Sequence, residues 1–249
     1  MQKCFAIVAS CCCLLLLCEA ALKLPDFVKK CSAKDPNFDD CVFEHAKETI
    51  PHMIDGLKKY RIPVLDPIHV KEMRANVGGL DMHGWDLVGT GLRNVQLKNI
   101  KIDLKKKEIT VEVLVPKAHF QGKYEVNGKI MSLPITGKGD FEATFDDLYA
   151  KYVTTYELQK MDDEEVYLVP TIYNVIFETK SANVRMDNLF NGNKLLGDNM
   201  NKFLNENWQD VMKEAGQSTY NALGLVIHNI FSGTTLTVAY KDVFDDVEV

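Results

Sequence analysis

After Gly192 the apolar residues fall into one stripe at helical spacing that runs unbroken to Phe231. Leu196, Met200, Phe203, Leu204, Trp208, Val211, Met212, Ala215, Tyr220, Leu223, Val226, Ile227, Ile230 and Phe231 form a single apolar helix face. Asn193 is placed to cap its start and Ser232-Gly233 to stop it. One helix of about 37 residues is roughly 55 Å long. That exceeds the diameter of a compact domain of this size. An apolar partner must therefore follow the stripe along its length.

Only one region can supply that partner. From about Ala75 to Met186 the period is two. Ile109, Val111, Val113 and Val115 alternate with Thr110, Glu112 and Leu114, and Phe141, Ala143 and Phe145 with Glu142 and Thr144. Leu148, Ala150, Tyr152, Thr154, Tyr156 and Leu158 share one face, and Tyr173, Val175 and Phe177 oppose Asn174, Ile176 and Glu178. Asn127-Gly128 is a two-residue hairpin signal between Tyr124–Val126 and Lys129–Met131. Short turns between strands imply an antiparallel sheet. Asp146-Asp147, Lys105-Lys106-Lys107 and the acidic run Asp162–Glu165 read as solvated turns. The expected class is α+β, a long C-terminal helix wrapped by a strongly curved antiparallel sheet. Thr234–Tyr240 could add a last strand beside the helix.

Ahead of the sheet, Asp39 or Asp40 can cap a helix starting near Cys41. Val42, Ala46, Ile50, Met53 and Leu57 recur along it, with a kink expected at Pro51. Ile62–Ile68 contains two prolines and reads as an extended connection.

The N-terminus reads as an address. Lys3 precedes an uncharged, mostly apolar run from Cys4 to Cys18, and Cys18-Glu19-Ala20 offers small residues at a cleavage site. The run is shorter than the roughly 20 residues a membrane helix needs. Residues 1–20 are expected to be a secretory signal peptide and 21–249 one continuous domain. Five of the seven cysteines lie in the signal, so Cys31 and Cys41 remain for a disulfide in an oxidising compartment. The expected location is extracellular.

Charge and motifs remove several function classes. A net charge of −6 with one short lysine run argues against nucleic acid. No G-x-S-x-G elbow or H-E-x-x-H helix occurs, and Gly89-Thr-Gly91 lacks the third glycine of a dinucleotide loop. His45 and His52 share a helix, but Pro51 spoils their geometry for metal. No enzyme activity, cofactor or metal is expected. The polar face of the long helix sets Lys194, Lys202 and Lys213 against Asp198, Glu206, Asp210 and Glu214, a poor match to anionic lipid. No stable membrane association is expected, and the chain reads as a monomer.

Three motifs carry a family resemblance. Leu24-Pro-Asp-Phe-Val-Lys-Lys-Cys31 is followed by Cys41, with nine residues between the cysteines. Gly128-Lys-Ile-Met-Ser-Leu-Pro-Ile-Thr-Gly-Lys-Gly139 lies mid-chain, and Asn188-Leu-Phe-Asn-Gly192 with Leu204-Asn-Glu-Asn-Trp208 opens the helix. In this order and spacing they resemble the takeout and juvenile-hormone-binding family of insects, secreted carriers of small lipophilic molecules. The resemblance covers essentially the whole chain after the signal. It implies one half of the lipid-transfer fold of bactericidal permeability-increasing protein. The haemolymph hormone carriers have a second disulfide deeper in the sheet. This chain has no cysteine after Cys41, which places it nearer the takeout branch.

The resemblance also implies an internal apolar tunnel, lined by the helix stripe and the inward strand faces. Helix candidates are Met200, Phe203, Leu204, Trp208 and Val211. Strand candidates are Phe141, Phe145, Tyr152, Tyr156, Val175 and Phe177. Methionine and aromatic side chains suit an adaptable lipid site, while ordinary core packing is the competing reading of each residue. The expected partner is a small hydrophobic ligand, a terpenoid, fatty acid or similar lipid, juvenile hormone among them. Its polar head would need a hydrogen-bond partner, for which Tyr152, Tyr156 and Asn174 are candidates. The alternative is an extracellular interaction or signalling module with a filled core.

Overall fold

The computed structural model describes residues 21–77 and 79–248, without the side chains of Val77 and residues 215–219. The expected signal peptide over residues 1–20 lies outside the described residues, as does the side chain of Ala215 in the helix stripe. Helix α1 (Phe38–Met53) is followed by β1 (Ile68–Val77), β2 (Leu80–Thr90), β3 (Gln96–Asp103), β4 (Glu108–Ile130), β5 (Leu133–Lys160), β6 (Val166–Glu178) and β7 (Ser181–Met186). Helices α2 (Lys194–Glu206), α3 (Trp208–Thr235) and α4 (Tyr240–Val243) complete the chain.

The central element is the β4–β5 ribbon, paired from Glu108 opposite Thr155 to Ile130 opposite Leu133. At about 3.3 Å per residue the 23 residues of β4 span roughly 75 Å of extended backbone. One end of the ribbon is flanked by β3 and β6, the other by β2 and β7, and β1 pairs with β2. The sheet curls until the edge strands β1 and β6, from opposite ends of the ribbon, both pack against α3. The expected class is therefore observed, with the sheet starting at Ile68 rather than near Ala75.

The inward phase of both long strands slips at the same level. Ile109 and Val115 are buried on odd positions of β4, whereas Ala118, Tyr124, Val126 and Ile130 are buried on even ones. On β5, Ile135 and Ala143 give way to Tyr152, Thr154 and Tyr156. The slip falls at Pro116, which has no N–H to give the ladder, and at Asp147, whose φ is 49°. Asp146 and Asp147 are thus not turn residues. They lie inside β5 where its neighbour changes from β6 to β7.

The hairpin signal also requires correction. Asn127 and Gly128 sit within β4, opposite Thr136 and Ile135, and the two-residue turn is Met131-Ser132. Both turn residues have positive φ (49° and 66°), as a type I′ turn requires. Gly128 answers a different need. A β-carbon there would lie 2.2 Å from the Gly79 carbonyl oxygen, so only glycine admits the β1–β2 turn this closely.

The C-terminal stripe forms two helices, not one. The 13-residue α2 and 28-residue α3 meet at Asn207, where φ −114° and ψ 25° break the helix. The Asn207 amide group donates to the Phe203 carbonyl at 2.8 Å, as does its backbone N–H at 3.0 Å. An asparagine that donates twice to one carbonyl of the turn before it lowers the cost of stopping there. Asn193 caps α2 by accepting from Leu196 N at 3.2 Å. The helix passes through Ser232-Gly233 to Thr235, and the expected strand at Thr234–Tyr240 is absent because its ends belong to α3 and α4. Helix α1 begins at Phe38, with Asp39 and Asp40 in its first turn rather than as caps. Pro51 sits in its last turn, and Leu57 lies beyond it. The lysine run and the acidic run are turns, and Cys31–Cys41 form a disulfide with Cα atoms 6.0 Å apart.

Two asparagines of α2 take the place of a neighbouring strand for β7. Asn201 accepts from Met186 N and donates to Met186 O, both at 2.9 Å. Asn205 does the same with Val184, at 2.7 and 2.8 Å. Four residues on a helix and two on a strand cover similar distances, so both amides reach the same edge. Replacing Asn205 by Ala orphans a backbone N–H and C=O. Urea unfolding should show a loss of about 1–3 kcal/mol; an unchanged midpoint would mean that water covers the edge equally well.

Candidate functional site

Two apolar clusters lie toward opposite ends of the ribbon. One joins Leu80, Tyr124, Val126, Ile130, Ile135, Leu189, Met200 and Leu204. The other joins Ile109, Tyr156, Leu168, Tyr240 and Phe244. Beside the first, under the α2–α3 junction, is a cavity of about 290 Å³. Its walls are Met73 of β1, Met82, Gly84 and Leu87 of β2, Tyr124 and Val126 of β4, and Phe141, Ala143 and Phe145 of β5. Ala182, Val184 and Met186 of β7 and Leu204, Trp208, Val211 and Met212 of the helices close it. Another depression is polar, bordered by Asp86, Lys123, Asp140, Arg185 and Asp187, with ion pairs Lys123–Asp140 and Arg185–Asp187 across it.

Local sequence explains two of these walls. A bulge in β2 between Trp85 and Val88, with Asp86 at φ 52°, turns Leu87 inward. Leu87 then rests on Gly84 and Gly122, where added β-carbons would meet its Cδ2 at 3.1 and 2.8 Å. On the other side, the asparagine-held edge of β7 presents Val184 and Met186. Two of the polar groups reaching this region are committed: Asn205 also donates to Asn201 O at 2.8 Å, and Tyr124 donates to Asp187 O at 2.6 Å. His83 also lines the space, its buried Nε2 lying 3.0 Å from Glu72 Oε1 without completing a hydrogen bond to it.

Of the eleven candidates, Phe141, Phe145, Leu204, Trp208 and Val211 line this cavity together. Met200 belongs to the adjoining cluster and Phe203 packs against it. The remaining four lie further along α3. The Phe177 ring is 5.4 Å from that of Tyr220. Val175 is so close to Gly224 that a β-carbon there would sit 2.6 Å from its Cγ1. Helix backbone thus touches sheet directly at this point, which bounds the cavity. Tyr156 packs in the second cluster, its hydroxyl 3.4 Å from that of Tyr240. Tyr152 hydrogen-bonds His228 Nδ1 at 2.8 Å, with Tyr173 stacked on the imidazole at 4.4 Å. Asn174 is exposed on the outer face of β6, so it cannot serve an internal ligand.

Sequence reasoning missed Met73, Met82, Leu87, Ala143, Val184, Met186 and Met212 as lining residues. Ala143 and Met212 carried a signal, as alternation partner of Phe141 and member of the helix stripe. The β2 bulge that aims Leu87 had none. His45 also has a structural place. Its Nδ1 lies 3.3 and 3.6 Å from the bonded sulfurs of Cys31 and Cys41, which have no thiolate to offer a metal. His52 stacks on Phe27 at 4.7 Å.

Burial controls the ionisation of the interior polar groups. It pushes the Tyr124 and Tyr152 phenols up to about 12 and holds His228 below its ordinary 6.5. The Tyr152–His228 pair is therefore neutral at physiological pH. Because the folded pKa of His228 is depressed, the unfolded chain binds more protons as pH falls below about 6.5. The stability associated with neutral His228 is present above that pH and lost below it. His228→Gln should remove this component, seen as a shallower fall of the urea midpoint on acidification than in wild type. Parallel profiles would assign the acid sensitivity to other groups.

The sequence model of the haemolymph juvenile hormone binding protein family matches residues 7–245. The circadian clock-controlled protein daywake of Drosophila melanogaster is 26% identical over 242 residues, spanning 91% of this chain and 90% of that protein. Its Drosophila yakuba counterpart is 25% identical over 237 residues, with the same coverage. The crystal structure of Takeout 1 from Epiphyas postvittana superposes with a TM-score of 0.76 at 29% identity, covering 88% of this chain and all of that one. With a match spanning nearly the whole sequence and this fold, the chain belongs to the haemolymph juvenile hormone binding protein family.

Proposed function

We propose that the protein is a secreted carrier that holds a small lipophilic ligand, a terpenoid, fatty acid or similar lipid, in the cavity under the α2–α3 junction. The observation that supports this most directly is the composition of the walls. Residues from β1, β2, β4, β5, β7 and both helices converge there, and most are apolar, with His83, Glu125, Asn183 and Asn205 as the polar members. Protein interiors close such spaces unless something else fills them. The lipophilic reading also agrees with the hormone-binding name of the family. Export rests on the signal-like residues 1–20. Among the described residues no helix is long and apolar enough to cross a membrane. The role is carriage rather than catalysis, and the protein acts as a monomer.

Volume and energy set the scale of the ligand. At ordinary packing density, 290 Å³ holds a chain of roughly a dozen carbons. Burying them gains roughly 8–10 kcal/mol at about 0.8 kcal/mol per methylene. Association and ordering remove several of these, which leaves an affinity of about micromolar or tighter.

The chain has two tryptophans, and only Trp208 lines the cavity. Trp85 lies under the Lys138 ammonium, 5.3 Å from its ring centroid. In a Trp85→Phe background, titration with medium-chain fatty acids or a sesquiterpenoid should change Trp208 emission saturably. Ala143→Phe, which places a ring in the cavity, should weaken binding about tenfold or more. An emission unmoved by every lipid, with no lipid co-purifying in native mass spectrometry, would favour the filled-core interaction module instead.

A further inference from the structure

The cavity is lined by an unusual share of the methionines. Met73, Met82, Met186 and Met212 come from β1, β2, β7 and α3, and all four side chains meet at one space. Each of the four residues is partly exposed, so the methionine-lined wall is not sealed from solvent. By contrast Met200, in the adjoining cluster, is 7% exposed.

We propose that these four methionines make the cavity an oxidation-sensitive site, at which hydroperoxides convert the thioethers to sulfoxides and the bound lipid is released. The inference rests on the carrier reading above. In each step the sulfur lone pair attacks one oxygen of hydrogen peroxide. The O–O bond breaks and an S–O bond forms; sulfur loses two electrons, and the departing oxygen leaves as water after proton transfer. A thiol-dependent methionine sulfoxide reductase reverses the change.

The release follows from what the wall can satisfy. A sulfoxide oxygen is a strong acceptor, and leaving it unpaired against apolar carbon is costly. Asn205 and Tyr124 spend their donors on Val184 O, Asn201 O and Asp187 O, and Glu125 is an acceptor paired with Lys138. The remaining polar lining residues, His83 and Asn183, offer about three N–H donors at most to four sulfoxide oxygens. The oxidised side chains must therefore draw water into the cavity or turn out of it. Either outcome removes the apolar wall that a lipid chain needs. Adaptable packing alone also accounts for methionine at such a site, so the test must separate the two roles.

Protein loaded with a fluorescent fatty acid is treated with graded hydrogen peroxide. Peptide mass spectrometry then reads the oxygen added at each methionine, and probe titration reads the affinity. The four lining methionines should oxidise ahead of Met200, with probe affinity falling about tenfold or more. Reductase treatment should restore it. The variant Met73→Leu/Met82→Leu/Met186→Leu/Met212→Leu sets its own starting affinity, since all four positions line the cavity. Whatever that affinity is, peroxide should leave it unchanged. Full oxidation of the four with affinity changed less than about twofold, or Met200 oxidising in step with them, would overturn the inference and leave the carrier reading standing. Untreated protein that binds no lipid probe would overturn both.

Discussion

The β4–β5 ribbon is the constraint on which the rest of the structure depends. Its continuous pairing from Glu108 to Ile130 gives the long apolar face of α2 and α3 something of matching length to lie against. A flat ribbon could not cover a helix on more than one side. Here the sheet curls so that β1 and β6 meet the same helix. The matched slip at Pro116 and Asp147 keeps apolar side chains inward on both halves while flanking strands are exchanged.

The same architecture makes two unlike interiors. In the half near Gly224, helix backbone and sheet are in direct contact, and Phe177, Tyr220, Tyr152 and His228 interlock. In the half near Asn207 the helix axis breaks, and the sheet stands away from it. Strand β7 could drift from the ribbon there, but the amides of Asn201 and Asn205 hold its free edge. An apolar space thus persists with the free edge of β7 satisfied, a condition for keeping that edge from closing on it.

This division bears on specificity. A ligand confined to the Asn207 half meets mostly aliphatic, thioether and aromatic carbon, so length, branching and bulk govern its selection. The neutral Tyr152–His228 pair lies outside that space and serves first as a satisfied polar contact within the packed half. Under the proposed carrier function, methionines on several walls would let the space adapt to different chains, with the same sulfur atoms as the proposed point of oxidation.

Much of the architecture was legible in the sequence, because alternation and helical spacing record which face of each element is buried. The wrapped helix, antiparallel sheet, Asn193 cap and Cys31–Cys41 pair all followed from local pattern. The signal failed where a local motif was overruled by a distant neighbour. Asn127-Gly128 reads as a turn, yet its glycine serves the approach of Gly79, and the turn fell to Met131-Ser132. Asn207 interrupts no apolar period, so the stripe could not disclose a break made by an amide turning back on Phe203. The cavity was least legible, since periodicity reports which residues face inward but not how far apart the facing surfaces stand. By itself the sequence determined which surfaces must be buried; the tertiary structure alone decided where they touch and where they leave room, because that distance depends on strand curvature, the β2 bulge and the helix break acting together.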